Sequence, residues 1–204
     1  MHMSQRPIDV LCAALQDEFD EDSRGKGIPS LLRAYQEEHR DWEEWALWSD
    51  KRYTRNLVAC GESFELLILC WSPGQQSPIH DHAGQNCWMA VLEGQLEEIH
   101  YSATKNAADA GQVPPEKGRA KSFVEGGVAF IEDSIAYHLT QPVGGTRAVS
   151  MHLYSKPIDT CSIFCPDTGV AETVALGYHS VRGELAGSAS PEDIRNRLLP
   201  VLHG

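Results

Sequence analysis

A chain of 204 residues, 42% hydrophobic and 23% charged, has the balance of an ordinary globular protein and room for one sizeable core. A formal net charge of −12 repels phosphate backbones and anionic lipids, so nucleic acid and membranes are excluded as expected partners. No apolar run approaches the ~20 residues of a membrane span, and the start, MHMSQRPIDV, lacks the basic and apolar regions of a secretory leader. The expectation is a cytoplasmic monomer. Its six cysteines show no regular spacing and are read as reduced. Cys161 and Cys165 make a poor zinc-ribbon pattern with no second pair to complete it.

Residues 7–49 read as helical. The first stretch has Pro7 near its start and Ile8, Leu11, Leu15 and Phe19 on one buried face. A charged linker, Asp20 to Gly27, precedes a second helix that begins near Ser30 and includes Leu31, Leu32 and Tyr35. Trp42, Trp45 and Trp48 then recur every three residues, a spacing best read as core packing. From residue 51 the texture changes to short apolar runs separated by turns: YTRNLVAC, FELLILCWS, CWMAVLEGQLEEIHY, KSFVEGGVAFIED, AYHLTQP and RAVSMHLYS. Many short strands with frequent turns predict an antiparallel sandwich or barrel, here over about 51–182. Thr104 to Gly118 is the most loop-like part. A last helix, over about 190–202, is capped by Ser190, with Pro191, Glu192 and Asp193 in its first turn. The organisation is one domain, 1–204, mainly β with the N-terminal helices packed outside.

Nine histidines are present. His2, His39, His100 and His203 sit among polar residues and read as solvated. His179 reads as structural. His80 and His82 are two residues apart, so on a strand both rings share a face and could chelate one ion. Spacing alone leaves a polar turn with two exposed rings as an equal reading. The wider pattern tips the balance. Gly74, His80, His82, Cys87 and Gly94 follow the spacing of the first cupin motif, with Cys87 where a Glu is usual. Gly127, Asp133, Ile135 and His138 follow the second, with Asp133 and Ile135 in place of Pro and Gly. This resemblance implies a cupin jelly-roll β-barrel with His138 closing the site from a facing strand, and Gly94 and Gly127 in the tight turns. Three neutral imidazoles would leave an ion its full charge and about three open positions. Zinc accepts such donors, and affinity alone does not select iron.

Four strings carry a closer likeness: YTRNLV from Tyr53, HDH at 80–82 with Cys87 beyond, EDSIAYH ending at His138, and SMHLYSKPIDTC from Ser150. Together they resemble the Arg-type branch of the cysteine dioxygenase family, over roughly residues 50–182. The resemblance implies that His80, His82 and His138 bind Fe(II), and that Arg55, with Tyr53 nearby, binds the cysteine carboxylate. It further implies a thioether between Cys87 and Tyr154, with Ser150 and His152 orienting Tyr154. The implied reaction oxidises free cysteine with O2 to cysteine sulfinic acid. The residues themselves support part of this. Ser150, His152 and Tyr154 alternate along one strand face and would need one another as partners. Arg suits a bidentate carboxylate clamp, although a surface charge at Arg55 reads equally well. Cys87 reads equally as a buried free thiol.

Two departures stand out. Bacterial members of the family often carry Gly where Cys87 stands, and Asn106 to Glu116 match no family segment. The other readings are a dioxygenase for 3-mercaptopropionate or another small thiol, a non-enzymatic metal-binding cupin, and a hydrolytic zinc site. Arg55 disfavours the first, since 3-mercaptopropionate enzymes typically have Gln there. The last lacks a carboxylate base, because Asp81 should point away from the histidines.

Overall fold

The structure, a computed structural model, describes residues 5–102 and 115–198, the side chains of the last four excepted. Helix α1, Pro7–Glu21, starts on a proline and buries Ile8, Leu11, Leu15 and Phe19. Helix α2, Ile28–Glu38, buries Ile28, Leu32 and Tyr35. Helix does not run on to residue 49 as the sequence suggested. A 3-10 turn over Asp41–Trp45 buries Trp42 and Trp45, and irregular chain follows, with Trp48 half-buried. Asp41 explains the break. Its carboxylate accepts from the Ile8 N–H at 3.0 Å and the Tyr35 hydroxyl at 2.7 Å, which ties the turn across both helices. Among the described residues no helix is long and apolar enough to cross a membrane.

Among the described residues thirteen strands follow: β1 Thr54–Cys60, β2 Glu65–Trp71, β3 Ile79–His80, β4 Cys87–Glu93, β5 Gln95–Tyr101, β6 Lys117–Val124, β7 Val128–Ile131, β8 Tyr137–Pro142, β9 Ala148–Tyr154, β10 Thr160–Phe164, β11 Ala171–Ala175, β12 Ser180–Val181 and β13 Glu184–Leu185. They form a seven-stranded sheet ordered β13-β12-β1-β2-β9-β4-β7 and a six-stranded sheet ordered β11-β10-β3-β8-β5-β6. This is the cupin jelly roll, mainly β, with the helices outside. Gly118 lies in β6, so the loop expected to end there is shorter, and its middle lies outside the described residues. Helix α3, Pro191–Leu198, starts as expected: Ser190 Oγ accepts from the Asp193 N–H at 3.1 Å. The remainder of the expected 190–202 helix lies outside the described residues.

Strands β1, β2, β4 and β9 are buried along almost their whole length, and the reason is plain. The helices cover one face of the larger sheet and the barrel interior covers the other. On β9, Val149, Met151 and Leu153 pack with Ile8, Leu15, Trp42 and Trp88 on the helix side. The alternate residues, Ser150, His152 and Tyr154, point inward beside Leu67, Leu69 and Trp71. Each apolar side chain buried on the outer face contributes about 1.5–3 kcal/mol, so the helices stabilise a sheet whose inner face carries polar groups. In the turn before β7, Gly126 has φ 87° and Gly127 closes the turn, its N–H donating to the Val124 carbonyl at 2.8 Å.

Candidate metal centre

His80 and His138 are directly opposed in the antiparallel pair β3–β8, which brings their side chains onto one inner face. His82 reaches the same point differently from the sequence reading. It lies beyond β3, in a turn where Ala83 and Gly84 have φ of 51° and 78°. That turn is held by Asp133, whose Oδ1 accepts from the His82 N–H at 2.7 Å and whose Oδ2 accepts from the Gly84 N–H at 2.6 Å. A non-glycine residue in the left-handed region is uncommon, and here two hydrogen bonds to one carboxylate hold it. Asp81 points away as expected, accepting from the Ser162 N–H at 2.8 Å.

The hydrogen bonds of the three rings fix their tautomers. His80 Nδ1–H donates to the Pro78 carbonyl at 2.9 Å. His82 Nδ1–H donates to Asp133 Oδ1 at 3.2 Å. His138 Nδ1–H donates to Glu98 Oε1 at 2.8 Å. Each ring therefore turns a bare Nε2 inward. His82 Nε2 lies 3.0 Å from His138 Nε2, which lies 3.2 Å from His80 Nε2. Lone pairs at that separation repel unless a cation lies between them. Two nitrogens bound at ~2.1 Å and at right angles would stand ~3.0 Å apart, so the donor set fits one ion. Burial, and next the neighbouring His82, push the His80 pKa down to about 3. Burial likewise puts His138 well below its ordinary value. Burial works to raise the Asp133 carboxyl, but its bonds from the His82 ring and from backbone N–H groups hold it below the ordinary range.

Glu98 escaped the sequence reading. It is buried, and besides His138 it lies 3.1 Å from His100 Nε2. His100, read as solvated, is half-buried against that carboxylate. Leu96, Glu98 and His100 share one face of β5, and a carboxylate and an imidazole on an inward face were the available signal. Asp133 was noticed only as a replacement in a motif.

Beside the histidines opens a cavity of about 620 Å3, lined among others by Tyr53, Arg55, His80, His152, Tyr154 and Tyr178. Tyr53 stacks on Trp71 with ring centroids 4.5 Å apart. Trp71 starts a buried chain. Its Nε1–H donates to Ser150 Oγ at 2.9 Å. Ser150 lies 3.0 Å from His152 Nε2, and its one O–H is the donor there. His152 Nδ1 then carries the proton and faces Cys87 Sγ at 3.9 Å. Burial, followed by His80 and His82, pushes His152 down to about 3, so the ring is neutral. Cys87 and Tyr154 are directly opposed in the β4–β9 pair. Burial pushes both the thiol and the phenol up, which keeps both protonated. His152 meets Tyr154 through the rings, 6.4 Å between centroids. Arg55 is buried, its Nη2 donating to Glu65 Oε2 at 3.4 Å. Glu65, Trp71 and Tyr178 also escaped the sequence reading. The first two share the inward face of β2 with Leu67 and Leu69, and Tyr178 lies in a loop with no periodic signal.

A family model described as cysteine dioxygenase type I matches residues 4–166. The curated zebrafish (Danio rerio) protein named cysteine dioxygenase type 1 is 36% identical over 186 residues, covering 89% of this chain and 90% of its own. The human (Homo sapiens) protein of the same name is 34% identical over 171 residues, covering 83% and 84%. Among solved structures, a Klebsiella pneumoniae protein with a double-stranded β-helix domain superposes with a TM-score of 0.46 at 14% identity, covering 69% of this chain and 98% of that one.

Proposed function

The chain belongs to the cysteine dioxygenase type I family, and from that premise we propose that His80, His82 and His138 hold Fe(II) while Arg55 receives the carboxylate of cysteine. The protein is an enzyme. Its reaction joins both atoms of O2 to the thiol sulfur of cysteine, giving cysteine sulfinic acid, the second rung of thiol oxidation. The observation that carries the assignment is the set of three bare Nε2 atoms beside a cavity whose wall bears a buried arginine. Zinc has no redox chemistry, so an oxygenase needs a different ion at these donors. Iron, when bound, supplies open positions for substrate and O2 and the electron transfer that O2 activation needs.

The protein's own groups do the rest. Arg55 offers the fork geometry that binds a carboxylate through two parallel hydrogen bonds. Tyr53, fixed by its stack on Trp71, forms the wall beside it. Tyr154 keeps its proton and donates its O–H toward the oxygen arriving at sulfur. Ser150 and His152 position Cys87 and Tyr154. Holding both reactants together supplies much of the rate.

The same reading includes a thioether between Cys87 Sγ and a ring carbon of Tyr154, supported by their direct opposition across β4–β9. That bond releases two hydrogens, with O2 as the electron acceptor. A cytoplasmic location completes it, supported by six cysteines none of which is in a disulfide, and the protein is read as a monomer. The test is bound-iron analysis followed by O2 uptake with cysteine, 3-mercaptopropionate and cysteamine in parallel. Cysteine is expected to be consumed fastest, with one O2 per sulfinate. Faster turnover of another thiol, or an iron-free protein of full activity, overturns it.

A further inference from the structure

We propose that Glu65 and Tyr178 determine which thiol acid the site accepts, by fixing the guanidinium of Arg55 at one distance from the three histidines. The inference rests on Arg55 being the carboxylate receiver. Three contacts close a ring of side chains. Arg55 Nη2 donates to Glu65 Oε2 at 3.4 Å. The Tyr178 hydroxyl donates to Glu65 Oε1. The Tyr178 ring lies 5.8 Å from the guanidinium carbon. The backbone ties the loop down as well, because the His179 N–H donates to the Arg55 carbonyl at 2.7 Å. The three side chains come from β1, β2 and the segment before β12, which the parallel β1–β12 pairing brings together.

Such a ring is a poor source of stability. Glu65 is 0% exposed and Arg55 9%, so both charges are desolvated, and a buried pair returns little beyond that cost. What it does supply is orientation. Arginine is a long side chain, and a guanidinium free to turn offers its N–H groups over a range of positions. Here Nη2 is engaged by Glu65 and the guanidinium lies over the Tyr178 ring. Arg55 Nε, also buried, has no hydrogen-bond partner among the described residues. The remaining donors are thus held ready for an acceptor in the cavity. Two parallel hydrogen bonds to a carboxylate need that fixed plane. Two anchors at fixed separation, the metal site and Arg55, measure the distance from thiol to carboxylate. A thiol acid one methylene longer than cysteine overshoots. Discrimination by one methylene is typically about 10- to 200-fold.

The test compares Glu65→Gln and Tyr178→Phe with the unaltered enzyme, using cysteine, homocysteine and cysteamine. Glu65→Gln is expected to raise the KM for cysteine about tenfold, the scale of losing a charged hydrogen bond, with kcat within about twofold. Anaerobic titration should show the same loss in Kd for cysteine. Cysteamine, which has no carboxylate, should be unaffected, and the preference for cysteine over homocysteine should fall. Tyr178→Phe keeps the ring and should shift each quantity the same way by less. Arg55→Gln is measured alongside. If it too leaves cysteine binding unaltered, the carboxylate reading itself is wrong. If it alone weakens cysteine binding, and both other variants bind cysteine as tightly as the unaltered enzyme or more tightly, the proposal is overturned. Should Glu65→Gln fail to fold, Tyr178→Phe decides the matter.

Discussion

The two sheets of the barrel carry different halves of the site. The six-stranded sheet bears the metal donors His80 and His138, with Glu98 behind them. The seven-stranded sheet bears Arg55, Glu65, Trp71, Cys87, Ser150, His152 and Tyr154. The difference follows from what covers each. The larger sheet is backed by helices, so its long strands β2 and β9 are buried on both faces and their side chains are tightly placed. The smaller sheet has partly exposed strands, and β3, which carries His80, is only two residues long. There the donors are positioned by hydrogen bonds to Pro78, Asp133 and Glu98 rather than by packing alone. Packing aims one half of the site and polar contacts aim the other.

The strongest way to break that division is His138→Ala. It should abolish turnover and leave less than a stoichiometric metal content while the fold persists, read by metal analysis and circular dichroism. Glu98→Ala tests the polar mode of aiming. Loss of a carboxylate behind a metal-bound histidine typically costs about 10- to 100-fold in metal affinity, measurable by competition with a chelator. On the packed sheet, Met151→Ala should cost about 2–5 kcal/mol of unfolding free energy, read by urea titration. Cysteine KM should hardly move, since Met151 faces the helices.

Acid tests both sheets at once. His80 and His152 are held near 3, against an ordinary 6.5, by burial first. In the unfolded chain they take up protons near pH 6.5, whereas in the fold they do not. Stability of the metal-free protein should therefore be intact above pH 6.5 and fall from there toward pH 3. The slope is at most about 1.4 kcal/mol per pH unit for each such histidine. A urea midpoint unchanged between pH 7 and 5 would contradict this. The smallest effect is expected from Cys87→Ser. The proposed Cys87–Tyr154 thioether predicts an intact mass two hydrogens light, a deficit the variant should lack, and activity should drop by a few-fold at most.

Much of this was legible before any coordinates. The alternation Ser150, His152, Tyr154 gave β9 its inward face. The resemblance to the two cupin motifs gave the three histidines, because motif spacing survives even though His82 leaves the strand. The six-stranded sheet was read less well. β3 has two residues and β10 and β11 five each, too few for a period to mark them. Glu65 and Glu98 were hidden for a physical reason. A carboxylate on a strand ordinarily faces water, and only long-range partners, Arg55 and Tyr178 for one and His138 for the other, make burial tolerable. Tyr178 and His138 lie far off in sequence from these carboxylates, where local patterns carry no information.

The two-faced packing of the larger sheet also makes the protein its own optical reporter. Of its five tryptophans, Trp42, Trp45, Trp48 and Trp88 belong to the helix-facing cluster. Trp71 alone looks into the cavity, stacked on Tyr53 and bonded through its indole N–H to Ser150. A change in emission on adding cysteine without oxygen should therefore come from one ring. Replacing Trp71 with Phe should silence it, while the other four go on reporting whether the helices remain docked.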